Sequence, residues 1–228
     1  MKSNKPDPSH FQPWKVAFRK NAHVLINTGY RAGRIKITTN KHNEEHITEF
    51  IVCGIKDWMR RPGCPSWCKF YGVHEEAPVS GKGRHGKSRP RTDIFIELGS
   101  GPGRPEYVFE AKRLSTNGYG AGKYTGVKGM GCFTEGIYAR EYDEAAMLGY
   151  VQSNTLNEWK KRVKKSITDN AASLYLQSAQ YDEVVISDFS LEWVSEHARI
   201  KSIGKPIKIY HVLLDCMPPA QPSSLTDI

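Results

Sequence analysis

Several features that would fix the class of this chain are missing from it. No apolar run approaches the roughly 20 residues needed to cross a bilayer, and the opening MKSNKPDPSHFQPW has no apolar block of the kind that begins a secretory signal. A membrane-spanning chain is excluded on this reading, and a cytoplasmic protein with no membrane partner is expected. Cysteine is scarce: five residues, an odd number and scattered, do not read as a disulfide framework, which agrees with a reducing compartment. One close pair, Cys64-Pro-Ser-Trp-Cys68 with His74 downstream and His85 beyond it, offers the donors of a zinc site. No second close pair completes it, and two half-buried thiols in a loop is the competing reading. The glycine-rich STNGYGAGKYTGVKGMG, from Ser115, contains neither G-x-x-x-x-G-K-[ST] nor a G-x-G-x-x-G after a strand, so no nucleotide cradle is expected there.

Acidic residues are also absent from two long stretches. None occurs between Pro8 and Asn43, where Lys15, Arg19, Lys20, Arg31, Arg34, Lys36 and Lys41 accumulate, and none between Ser80 and Arg91. The formal net charge is +9 and the pI about 9.3. Such a balance points to a polyanionic partner, nucleic acid or an anionic surface. The first stretch either lies along a phosphate backbone or is a solvated, partly ordered arm. The second is a glycine-containing loop whose Lys82, Arg84, Lys87, Arg89 and Arg91 are candidate nucleic-acid contacts, because phosphate contacts are made by such cations.

The periodicity places a helix from Glu44 to about Met59, capped by Asn43, with Ile47, Phe50, Ile51, Ile55 and Trp58 on one face. Lys69–His74 reads as a first strand. The loop from Ser80 then leads into RPRTDIFIELGSGPGRPEYVFEAKRL, residues 89–114, where two β-patterned runs, Asp93–Leu98 and Tyr107–Lys112, flank a Gly/Pro/Ser connection. Glu110 and Lys112 stand two apart and so share a strand face, opposite Phe109 and Ala111. If the runs pair antiparallel, Asp93, Glu110 and Lys112 converge at one end of the hairpin. Two hard carboxylates and an ammonium suit Mg²⁺-assisted phosphodiester chemistry, with Lys112 steadying the attacking water or the charge developing on phosphate.

At Pro90, Thr92-Asp93 and Glu110-Ala111-Lys112 the chain resembles the PD-(D/E)XK nuclease superfamily, with Thr92-Asp93 standing where that family has Pro-Asp. A second Glu-x-Lys, Glu158-Trp159-Lys160, falls in a helical stretch, so spacing alone does not identify the site. The resemblance covers about residues 41–152. It implies a restriction-endonuclease-like α/β fold, a central mixed β-sheet flanked by helices, with a C-terminal α+β extension. It implies a metal-dependent endonuclease cleaving nucleic acid, expected to be DNA, in restriction, phage defence or repair. Asp93 and Glu110 would hold Mg²⁺, or Mn²⁺, with the carbonyl of Ala111, and Lys112 would orient the nucleophile with no covalent intermediate. Glu44 is an extra acidic group reaching toward the metal on this resemblance, or a first-turn residue favoured by the helix dipole. A homodimer, or a partner protein of a defence or repair system, is the implied assembly. The alternative is a non-cleaving nucleic-acid-binding or assembly subunit that retains the fold.

The resulting organisation is a basic arm over 1–40, a nuclease core over 41–152, and a C-terminal helix and strands over 153–228 with a disordered tail from about 217. Between and beyond the motifs, the glycine-rich segment reads as a loop over the cleft, Cys132–Tyr142 as a short helix and Ala145–Val151 as a buried strand. Thr155–Asp169 reads as an amphipathic helix whose Lys160, Lys161, Arg162, Lys164 and Lys165 face DNA or solvent. Glu183–Ile186 and Pro206–Leu214 read as strands, and Leu191–Ile200 as strand or helix. As a strand, the last would put Trp193, Ser195, His197 and Arg199 on one face, with His211 near them; a histidine pair and an arginine would be useful beside a phosphodiester.

Overall fold

The computed structural model describes residues 12–79, 88–99, 105–189, 191–199 and 205–219. They form an α/β protein built on one seven-stranded mixed sheet flanked by helices. Lys82, Arg84, Lys87 and the final residues 220–228 lie outside the described set.

Helix α1 (Gln12–Gly33) is followed by a 3₁₀ turn at Arg34–Lys36, and helix α2 (Glu44–Met59) by another at Ser66–Phe70. Strands β1 (Tyr71–Pro78), β2 (Arg91–Leu98) and β3 (Glu106–Leu114) form an antiparallel meander. Short helices α3 (Ala121–Thr125) and α4 (Gly131–Thr134) precede β4 (Glu144–Val151), and helix α5 (Leu156–Asp169) precedes β5 (Leu176–Gln180), β6 (Glu192–His197) and β7 (Ile207–Asp215). The strand order is β1-β2-β3-β4-β7-β6-β5, with β3–β4 and β4–β7 parallel and the other pairs antiparallel. Strand β4 lies at the centre between two parallel neighbours, which explains its nearly unbroken apolar sequence.

Pleating separates two cores. Phe109, Ala111, Ile94, Ile96 and Leu148 pack under α1 and α2, and Val108, Leu114, Met147, Leu213 and Trp193 pack under α3, α4 and α5. Helices α1 and α2 cross in close contact because glycines meet there. A Cβ on Gly54 would stand 2.6 Å from the carbonyl oxygen of Gly29, and one on Gly29 would stand 2.4 Å from that of Ile51.

Five expectations need correction. The basic arm is helix α1, a core element: Phe18, Ala22, Leu25 and Ile26 repeat at helical spacing and are buried, and Lys15 and Arg19 pair with Asp143 and Glu144. No boundary falls near residue 152, since β7 pairs with β4 along its whole length and makes the C-terminal part integral to the sheet. Glu183–Ile186 is not a strand; the sheet edge is Leu176–Gln180 instead. Helix at Cys132–Tyr142 reduces to the single turn of α4, and the glycine-rich segment is tied into the core by Tyr124 and Met130, both fully buried.

Helix α5 keeps its expected stripe, burying Trp159, Val163 and Ile167. Thr155 and Glu158 form a reciprocal capping box, so the second Glu-x-Lys is occupied with helix initiation. Among its cations, Lys160 pairs with Glu183, Lys164 donates to the Tyr181 carbonyl and Lys165 pairs with Asp169.

Candidate active site

The antiparallel register of β2 and β3 runs from Glu97↔Glu106 to Ile94↔Phe109 and goes no further. Beyond that point β2 stays with β1, through Thr92↔Ala77 and Arg91↔Pro78, while β3 stays with β4 through Leu114↔Val151. The sheet therefore parts between Asp93 and Glu110, and the backbone of Ala111 faces the gap. Both of its polar groups find side-chain partners: its N–H donates to Asp93 Oδ2 at 2.6 Å, and its carbonyl accepts from Lys112 Nζ. This accounting follows from the need to satisfy buried backbone groups wherever a ladder stops.

Around this gap the structure gathers Asp93, Glu110, Lys112 and Glu44. Lys112 Nζ donates to Glu110 Oε1 at 2.8 Å and to Glu44 Oε1 at 2.9 Å. Glu44, in the first turn of α2, also accepts the backbone N–H of Arg113 at 3.0 Å. Its helix starts there because Asn43 caps it, the side chain accepting from His46 N at 2.9 Å. Glu44 is thus committed to the ammonium and to β3. Glu44 therefore stands both in the first turn of α2, as the dipole reading has it, and against Lys112 at the gap.

Glu110 is 4% exposed, and its Oε2 is buried with no hydrogen-bond partner. Burial, reinforced by the facing charge of Asp93, raises its carboxyl well above the usual range. Burial also pushes Asp93 up to about 6, against the opposing pull of Lys112 and the Ala111 N–H. For Lys112, burial favours the neutral amine, yet the carboxylates of Glu110, Asp93 and Glu44 overcome this and hold it as ammonium above its ordinary value. Three acids thus surround one base, and the two deepest resist ionising together.

This geometry tests whether a divalent cation fits. The donors are hard oxygens, Glu110 Oε2 is buried and accepts no N–H or hydroxyl, and Asp93 lies close enough to raise the Glu110 pKa by its charge and by carboxyl–carboxyl hydrogen bonding. A cation there would relieve the repulsion that burial creates. Against the fit, Lys112 already occupies Glu110 Oε1 and the Ala111 carbonyl, and among the described residues no group of three or more His, Cys, Asp or Glu is arranged to hold a metal. Asp93 and Glu110 are accordingly the acidic pair available, with Glu44 diverted.

The other expected residues divide. Arg91 opens β2 and faces Glu76, donating to its carbonyl at 3.2 Å with the carboxylate at 3.7 Å. Arg89 is partly buried, with its Nε unpartnered. Cys64 and Cys68 are free; burial and a hydrogen bond with Cys64 push the Cys68 thiol up to about 12. His74 pairs with Glu97 at 3.0 Å, not with the cysteines.

His197 and His211 belong to a buried chain. His197 Nδ1 lies 2.8 Å from the Leu174 carbonyl and must donate to it, leaving Nε2 to accept from Ser195 Oγ at 2.7 Å. Ser195 Oγ then accepts from His211 Nε2 at 2.7 Å, and His211 Nδ1 accepts from Tyr124 OH at 3.0 Å. One orientation satisfies every group with both rings neutral, and burial lowers both histidine pKa values, His197 to about 4. Arg199 is equally structural, donating to the carbonyls of Ala139, Tyr142 and Lys205.

Sequence reasoning missed Arg113, Gln152 and Tyr119, which adjoin the site. Arg113 Nε donates to Gln152 Oε1 at 2.6 Å, Gln152 Nε2 donates to the His42 carbonyl at 2.8 Å, and the guanidinium carbon lies 4.0 Å from the Tyr119 ring centre. The available signal was the cation directly after Glu-x-Lys. Among the described residues, no helix is long and apolar enough to cross a membrane. Comparison with protein-family models, curated proteins and solved structures gives no match.

Proposed function

We propose that this chain is a metal-dependent nuclease that hydrolyses phosphodiester bonds, with DNA the expected substrate. The observation that carries the reading is the buried Asp93–Glu110 pair at the parting of β2 and β3, with Glu110 Oε2 unpartnered and Lys112 held beside it. Asp93, Glu110 and the Ala111 carbonyl would hold Mg²⁺ or Mn²⁺, which when bound supplies Lewis acidity to a phosphate oxygen and a lower pKa to water. Lys112, kept protonated by three carboxylates, cannot serve as a general base. It donates hydrogen bonds and positive charge, so its part is to orient the attacking water and offset charge developing on phosphorus. Glu44 fixes where that ammonium sits. Asp93 also fixes the β3 backbone through Ala111 N, keeping the Glu110 carboxylate and the Ala111 carbonyl on the gap.

The test is incubation of wild type, Asp93→Asn and Lys112→Ala with plasmid, linear duplex, single-stranded DNA and RNA in Mg²⁺ or Mn²⁺. Cleavage by wild type and a loss of at least about 100-fold in both variants is expected. Cleavage at the wild-type rate by both variants refutes the assignment. One observation favours a second reading, a nucleic-acid-binding or assembly subunit that does not cleave: Lys112 Nζ is fully engaged by Glu110, Glu44 and the Ala111 carbonyl, two of which a cation would need. Binding of nucleic acid without cleavage under any divalent ion decides for that reading.

A further inference from the structure

Two cations beside the candidate site surround one aromatic ring. The Arg113 guanidinium carbon is 4.0 Å and Lys123 Nζ 4.6 Å from the Tyr119 ring centre. Like charges held together are costly unless an anion joins them. Among the described residues, neither Arg113 nor Lys123 has a carboxylate within 4.0 Å, whereas Lys15, Arg19, Arg34 and Lys160 all do. The Tyr119 ring thus attracts both cations without neutralising the charge of either.

Arg113 is also held rigidly. Gln152, 1% exposed, accepts from its Nε, and the amide cannot flip because its nitrogen faces the His42 carbonyl. The backbone N–H of Gln152 donates to Leu114 O at 2.9 Å, fixing the amide to the strand that carries Arg113. With Nε taken and one face of the guanidinium near the ring, the two terminal nitrogens are the part left to bind, in the fork geometry that suits a phosphate. A purely structural tie between β3 and β4 explains Gln152 and Arg113 but leaves Lys123 unexplained. Lys123 is exposed and contributes nothing to that tie.

We infer that Arg113 and Lys123, arranged around Tyr119 and with Arg113 fixed by Gln152, form a clamp for backbone phosphates of a nucleic-acid strand adjoining the carboxylate gap. Arg113 follows Lys112 on β3, and its backbone N–H shares Glu44 with the Lys112 ammonium, so the strand that carries the site also carries the clamp. The choice of nucleic acid as the polyanion rests on the nuclease reading.

The test is binding of a labelled oligonucleotide, single-stranded and duplex, in EDTA over a series of salt concentrations. Lys123→Ala and Arg113→Gln should each weaken binding severalfold at low salt. Each should also flatten the slope of log K against log[salt] by about 0.7–0.9, the signature of one lost phosphate contact. Arg113→Lys should recover part of the slope but not the full affinity. Unchanged affinity and slope in both Lys123→Ala and Arg113→Gln overturns the clamp, as does a wild type whose binding is absent or insensitive to salt. Should Arg113→Gln fail to fold, the exposed Lys123→Ala decides alone. Asp93→Asn separates the two assignments. If it cleaves like wild type while the clamp variants lose slope, the nuclease reading falls and the clamp stands; if it abolishes cleavage while those slopes are unchanged, the clamp falls alone.

Discussion

Replacing Asp93 by Asn should stabilise the cation-free protein at neutral and alkaline pH while removing the proposed activity. Asp93 has an ordinary pKa of 3.8 and about 6 in the folded protein. A folded value above the unfolded one means the folded state binds the proton more tightly. The stability it contributes is complete below about pH 4 and is lost as pH rises through about 6. The difference of roughly two units corresponds to about 3 kcal/mol of cost once the carboxylate is charged. Asn is the informative replacement because its carbonyl oxygen can still accept from Ala111 N, 2.6 Å from Oδ2 in the wild type. Alanine would leave that buried donor unmatched at about 1–3 kcal/mol and mask the gain. The cost is first that of burying a charge, which the neutral amide escapes, and the substitution also removes the charge that faces Glu110. At roughly 2–4 °C per kcal/mol for a chain of this size, Tm of Asp93→Asn should exceed wild type by some 6–12 °C near about pH 8 in EDTA, with little difference near about pH 4. Mg²⁺ should raise Tm of wild type and not of the variant. Equal or lower Tm for Asp93→Asn at alkaline pH, or the same difference at both pH values, refutes the electrostatic account of the site.

Two other outcomes follow from the packing. His197 has its folded pKa lowered from 6.5 to about 4 by burial, and burial holds His211 well below its ordinary value too. Their contribution is complete above about pH 6.5 and is lost as pH falls toward 4, by about 3 kcal/mol for His197 alone. Because Asp93 acts in the opposite direction over that range, the acid loss should be steeper in Asp93→Asn than in wild type when Tm is followed against pH; a shallower loss in the variant contradicts both assignments. Gly54→Ala should destabilise by more than about 2 kcal/mol in denaturant titration, because the added Cβ meets the rigid Gly29 carbonyl at 2.6 Å and forces α1 and α2 apart. An unchanged midpoint would show that the helices can separate freely.

The parts of this architecture that could be read from sequence were those carried by local pattern. Ala145–Val151 reads as a buried strand because a strand between parallel neighbours has no polar face, and β4 has that position. Asn43 and Thr155 announce their helices by side-chain chemistry within three residues, and both caps form. Asp93, Glu110 and Lys112 could be brought together from a strand period of two and one hairpin. What failed depended on distant partners. In α1 the cations drew the reading toward an arm, although Phe18, Ala22, Leu25 and Ile26 carried the helical period and Lys15 and Arg19 find acids more than a hundred residues away. The strand expected at 183–186 lost to Leu176–Gln180 because pairing with β6, not local propensity, selects the edge. Gln152 was invisible for the same reason, since its meaning lies in Arg113 and His42, on two other segments.

The parting of β2 from β3 links the fold to the chemistry proposed for it. A continuous ladder would satisfy Ala111 with backbone partners and leave no room for a ligand; stopping it after Ile94↔Phe109 leaves one N–H and one carbonyl to be met by side chains. Side chains able to do this must be an acceptor and a donor, and the chain supplies a carboxylate and an ammonium. Those two requirements alone would be met by a neutral pair such as Asn and Ser at lower electrostatic cost. The chain adds Glu110, buried and held well above the usual carboxyl range by burial and by the facing charge of Asp93. Its Oε1 holds the Lys112 ammonium at 2.8 Å, and its carboxyl shares the gap with that of Asp93. The cation proposed above would, if bound, relieve the charge of both buried carboxyls at once.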